Sequence, residues 1–141
     1  MDRSLYARFM LHETPNIWYA AVGGDVTIDK SVRNLQRLSK RIEDERLSGL
    51  VIDYRAARLN LMTGEFAELA KRFSLYIPPY FQVAYLTNRR NAPQAALMIK
   101  LLNQNGQAVR GFAAWEPMTK WLGCPYAIDP IPRKETGVVL V

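Results

Sequence analysis

The chain has 141 residues, 49% of them apolar and 23% charged, with a formal net charge of +6 and a pI near 9.7. That length suits one domain burying roughly 70% of its extended-chain surface, and the apolar share excludes a disordered chain. The lone Cys124 excludes an internal disulfide, no apolar run approaches the roughly 18 residues of a membrane span, and the opening Met1-Asp2-Arg3-Ser4-Leu5-Tyr6 has no secretory apolar core, so a cytoplasmic protein is expected.

Tyr6, Phe9 and Leu11 lie among β-favouring neighbours, Thr14-Pro15-Asn16 signals a turn, and residues 17–22 predict a second strand of an edge hairpin, ended by Gly23-Gly24. Thr27 or Asp29 can cap a helix whose apolar positions Ile28, Val32, Leu35, Leu38 and Ile42 recur at spacings of three and four. Its other face carries Lys30, Arg33, Arg37, Lys40 and Arg41. Glu43, Asp44 and Glu45 oppose the dipole of its last turns and predict fraying there.

Residues 47–54 read as a central parallel strand covered on both faces, followed by a loop over 55–62. A helix from Thr63 holds Phe66, Leu69, Ala70 and Phe73 on one side and stops at Pro78-Pro79. Residues 80–86 form the next strand. Asn91 and Pro93 start a third helix with Leu97, Met98, Leu101 and Leu102 inward, and Asn105-Gly106 turns the chain. A last core strand over 109–115 leads to a short helix opened by Glu116-Pro117 and closed by Gly123. The order ββαβαβαβα predicts an α/β domain over 1–123 with a mixed, largely parallel sheet. The tail over 124–141 ends in an apolar run, 138–141, that can add an edge strand or pair with a second copy, making a homodimer.

Asp53 and Tyr54 fall at the carboxyl end of a predicted central strand, where open α/β sheets place their crevices. Leu59, Leu61 and Met62 form an apolar loop beside them, which is core if folded under and a contact patch if exposed. Thr63 reads as an N-cap and is also a candidate phosphoacceptor, because a helix N-terminus offers free N–H groups to phosphate. Asn88, Arg89 and Arg90 follow the next strand and can hold an acid. Enzyme chemistry finds no footing. His12 and Cys124 stand alone, no P-loop or Gly-x-Ser-x-Gly elbow occurs, and no metal or cofactor is called for. Basic residues are scattered and the three tryptophans read as core, which argues against nucleic-acid binding.

The strand 50–53, the helix opening at Thr63-Gly64, and the closing pattern Phe112-Ala113-Ala114-Trp115-Glu116-Pro117-Met118-Thr119-Lys120-Trp121-Leu122 resemble the STAS superfamily. Its SpoIIAA-like branch, related to bacterial anti-sigma-factor antagonists, is the nearest in pattern, over residues 5–123. In the antagonists a strand aspartate is followed eight residues on by Asp-Ser-Ser-Gly. Here Leu61, Met62, Thr63 and Gly64 stand on that motif, with Met62 at the usual phosphoacceptor. The resemblance therefore implies a non-catalytic regulatory or scaffolding domain that binds a protein partner through Asp53, Tyr54, Leu61, Met62, Thr63, Gly64, Asn88, Arg89 and Arg90, without the family's serine switch. Such domains also resemble lipid-binding SEC14-type folds. The alternative is thus a carrier or sensor of a small apolar or acidic ligand, lined by Leu59, Leu61, Met62 and Phe66 with Arg89 or Arg90 at the head group.

Overall fold

Strand order in the sheet follows chain order. The computed structural model of the protein describes residues 5–130. Its elements are β1 (Leu5–His12), β2 (Ile17–Val26), α1 (Ile28–Glu45), β3 (Gly49–Leu59), α2 (Thr63–Tyr76), β4 (Gln82–Leu86), α3 (Ala92–Gln104), β5 (Ala108–Phe112) and α4 (Trp115–Leu122). The strands lie in the order β1-β2-β3-β4-β5, with β1 antiparallel to β2 and every other pair parallel. The single α/β domain and its ββαβαβαβα order are those expected.

Crossovers between parallel strands are right-handed, so a sheet that steps always in one direction gathers its crossover helices on one face. Alternation along the strands supplies both faces. Ala20, Leu50, Val83 and Tyr85 meet Leu35 and Ile42 of α1, Phe66 and Phe73 of α2, and Met98 and Leu102 of α3. Ile17, Tyr19, Ala21, Val51 and Ala84 point the other way, toward Met118 and Leu122 of α4 and toward Cys124. Gly49 marks a close approach, because a Cβ there would stand 2.9 Å from Ile17 Cδ1 and 3.1 Å from the Gln82 carbonyl oxygen.

Gly23-Gly24 does not end β2. The pairing of β2 with β3 shifts register between Ala21 and Gly23 and then resumes, from Gly23 opposite Ala56 to Val26 opposite Leu59. Gly24 takes φ +68°, a left-handed conformation that glycine adopts freely. The expected loop over 55–62 accordingly shrinks to 60–62. The extension has its own small core of Val22, Val26, Ala57 and Leu59.

Three further boundaries differ from expectation. α1 continues through Glu45, because Asn16 Nδ2 donates to the Glu45 carbonyl at 3.0 Å, Arg41 pairs with the Glu45 carboxylate at 2.9 Å, and Arg46 closes the helix at φ 53°. Trp115 opens α4 and is not part of β5, whose ladder stops at Phe112 opposite Leu86. Thr63 is the first helical residue of α2, and Met62 holds the N-cap position. At α1 the capping oxygen is that of Thr27, accepting from Lys30 N at 3.5 Å.

Candidate functional site

Asp53 is 1% exposed, so the carboxylate at the end of β3 faces the protein interior. Tyr19 donates to its Oδ2 at 2.6 Å, Arg55 N to its Oδ1 at 2.9 Å, and the Arg55 guanidinium reaches both oxygens at 2.8 to 3.1 Å. The same guanidinium spans to Asp129, with Nη1 donating to Oδ2 at 2.8 Å and Nη2 to Oδ1 at 2.7 Å. Burial works against the Arg55 charge, but the hydrogen bonds from Asp129 and Asp53 outweigh it and raise its pKa. Trp115 Nε1 donates to Ala127 O at 2.7 Å, fastening the same return segment. The crevice expected beside Asp53 is thus filled by the chain itself, and Asp53 offers no exposed carboxylate to a partner.

Tyr54, the next residue, points to the opposite face and stacks on Tyr85 with ring centroids 5.5 Å apart. Burial raises the pKa of both phenols, and the proximity of Tyr54 adds to the effect on Tyr85. The two sequence neighbours therefore belong to different layers of the domain.

The loop after β4 is a fastener for the extension of β3. Asn91 is 1% exposed and its side chain serves three backbone groups, accepting from Leu59 N at 3.3 Å and donating to Tyr54 O at 3.2 Å and Ala57 O at 2.8 Å. Asn88 Nδ2 donates to Arg55 O at 3.0 Å, and Arg90 Nη2 donates to Ala57 O at 3.1 Å. An asparagine at this point satisfies donors and acceptors that a parallel strand running past its neighbour's end would otherwise leave unpaired. Arg89 is exposed.

The fastened extension carries residues 60–62 into α2. Leu59 is buried, Leu61 is half-buried and Met62 is 75% exposed, so the three apolar loop residues divide between core and surface. Thr63 and Gly64 are exposed beside Met62. The Glu65 carboxylate reaches back to accept from Met62 N at 2.8 Å, so the side chain that caps this end is Glu65 and not Thr63. A Cβ on Gly64 would meet open space, so nothing in the packing requires glycine there. The pocket expected under this loop is a void of about 20 Å³ between Tyr54, Phe66 and Met98.

A larger cavity, about 90 Å³, lies between the sheet and α1. Ala20, Leu35, Leu50, Ile52 and Phe73 line its interior, and Arg8, Arg37 and Arg41 stand at its outer end. Arg41 sits over the Trp18 ring, 4.7 Å from its centroid. No helix among the described residues is long and apolar enough to cross a membrane, and they hold no group of three His, Cys, Asp or Glu side chains placed for a metal.

The chain is similar to SpoIIAA. The anti-sigma factor antagonist SpoIIAA in its unphosphorylated form has 10% identity and a TM-score of 0.47, covering 83% of this chain and 98% of its own. The Bacillus cell fate determinant SpoIIAA in its phosphorylated form has 10% identity and a TM-score of 0.43, covering 82% of this chain and 99% of its own. No family model and no curated protein matches the chain.

Sequence reasoning about sites missed Arg55, Asp129 and Arg8. Each acts through a partner distant in sequence, and their only local signal was charge. Asn91 starts α3 as the sequence suggests, but its side chain has the larger role, in the bonds to β3. The run 138–141 lies outside the described residues.

Proposed function

We propose that this domain is a non-catalytic regulatory module that binds a protein partner through the surface around Met62, with Thr63, Gly64 and Arg89 at its margin. The observation that carries this reading is the 75% exposure of Met62 on a turn whose backbone is fixed on both sides. Glu65 holds it from α2, and Asn88, Arg90 and Asn91 hold the strand that delivers it. An ordered, exposed methionine supplies apolar contact area with little further ordering to be done on binding. Gly64 supports the same reading. Glycine in a helix costs about 1 kcal/mol relative to alanine, and here it leaves the first turn open to close approach.

Asp53 is paired with Arg55 in the interior, so its carboxylate is not open to a substrate. Thr63 is the regulated position in this reading. Its exposed place in the first turn would set a phosphate on free N–H groups at the edge of the contact surface.

Site-specific photo-crosslinking in the source cells tests the proposal. Benzoylphenylalanine at position 62 is expected to trap one polypeptide that the same probe at the exposed Gln104 does not, and Arg89→Glu in the same chain should reduce the yield at least fivefold. Identical patterns from the two positions would overturn it. Separately, Met62→Asp should leave stability within about 0.5 kcal/mol of the parent, as an exposed position requires.

A further inference from the structure

The cavity beneath α1 has a chemical polarity of its own. Inside, it is apolar and lies at the heart of the main core. Ala20 is the smallest side chain on the inner face of β2, between Trp18 and Val22, and its methyl leaves the space that larger neighbours would fill. At the outer end the lining turns cationic. Arg8 lies on β1 directly across from Ala20, while Arg37 and Arg41 are one turn apart on α1. Burial and the neighbouring charges of Arg41 and Arg37 lower the pKa of Arg8, with Glu45 opposing, so the three guanidinium groups share one field. Glu45 is paired with Arg41 at 2.9 Å, which leaves the cluster with a net positive charge.

One further group points to an occupant. Asn34 lies on the same stripe of α1 as Arg37 and Arg41 and lines the cavity, and its Oδ1 is buried without a hydrogen-bond partner. A side-chain amide turned end for end exchanges an acceptor for a donor, so Asn34 can present Nδ2 to a head-group oxygen. An apolar void needs no ligand to persist, but an orphaned amide and three gathered arginines at its mouth are costs that a bound anion offsets.

We infer that this cavity is a binding site for a free carboxylate with a short apolar chain, the chain lying under α1 and the carboxylate held by Arg8, Arg37, Arg41 and Asn34. An apolar cavity of about 150 Å³ holds the six carbons of benzene, so about 90 Å³ takes a chain of roughly three or four carbons. This site is distinct from the Met62 surface and does not rest on it. It also differs from the ligand site expected at Arg89 or Arg90, since Arg90 is spent on Ala57 O and the void beneath that loop is too small.

Calorimetric titration of the full chain with pentanoate, 1-pentanol and acetate tests the inference. Pentanoate is expected to bind with Kd below 1 mM, pentanol at least tenfold more weakly, and acetate not at all. Arg37→Gln, at an exposed position, should weaken pentanoate about tenfold and leave pentanol unchanged. Ala20→Leu should abolish binding of both without lowering Tm; if that variant fails to fold, the Arg37→Gln comparison decides. Absence of pentanoate binding at 1 mM, equal affinity for pentanoate and pentanol, or an unchanged affinity in Arg37→Gln would each overturn the site. Sedimentation with phosphatidylglycerol vesicles in place of pentanoate binding would do so as well, by assigning the arginines to a membrane surface.

Discussion

Arg55 and Asp129 are joined by two parallel charge-assisted hydrogen bonds, 2.8 and 2.7 Å long, that tie the end of β3 to the segment after α4. Since Arg55 also neutralises the buried Asp53, it links a central strand, an interior carboxylate and the return of the chain.

Removing the guanidinium should therefore hurt far more than removing its outer partner. Arg55→Ala strands Asp53 in the interior and should cost about 3 kcal/mol, whereas Asp129→Ala, at a side chain 26% exposed, should cost about 1 kcal/mol. Urea denaturation measures both. Equal losses would mean that Asp53 is satisfied by Tyr19 and the Arg55 amide alone.

Asn91→Ala should cost about 3 kcal/mol, because three backbone groups of β3 lose a buried partner together. Hydrogen exchange should locate the damage. The Leu59 amide is expected to lose protection, while the β3 amides paired with β4 keep theirs.

At the start of α2 the capping group is Glu65 and not Thr63. Glu65→Ala should cost about 1 kcal/mol, Thr63→Ala less than about 0.5 kcal/mol, and Thr63→Asp should stabilise by about 0.5 kcal/mol through the helix dipole. Thermal melts of the three variants rank them. A larger loss at Thr63 than at Glu65 would restore the hydroxyl as the cap.

The stacked pair Tyr54 and Tyr85 sets an alkaline limit. Both pKa values are raised in the folded state, so above an unfolded value of about 10 the native chain holds protons that the unfolded chain has released. Stability is intact below that pH and falls as pH rises through the window, by about 1.4 kcal/mol per pH unit for each tyrosine. Chemical denaturation between pH 9 and 11 should show the decline, and Tyr54→Phe should make it shallower. A slope unchanged by that substitution would remove Tyr54 from the account.

Much of this fold is readable in the chain. The spacing of Ile28, Val32, Leu35, Leu38 and Ile42 belongs only to a helix, and the continuous apolar run before Asp53 belongs to a covered parallel strand. The strand extension escaped because a glycine pair marks a bulge as readily as an end, although Ala56, Ala57, Arg58 and Leu59 alternate exposed and buried in the period of a strand. The site was harder. Asp53 and Tyr54 are adjacent in sequence, yet alternation sends one toward α4 and the other toward α1 and α2. Arg8 meets Arg37 and Arg41 only once β1 is laid against β2, and no local pattern records that meeting.

A sheet whose strands are laid down in chain order has a consequence for how the molecule is made. Each strand that leaves the ribosome finds its neighbour already in place, and α1, α2 and α3 close their face one crossover at a time. The other face waits until β5 has been synthesised, because its cover is α4 and the segment through Asp129. Without that cover Tyr19, Val51 and Leu86 lack the partners that bury them in the finished fold. A chain halted between the fourth strand and the last helix therefore carries one finished face and one apolar face still open to association.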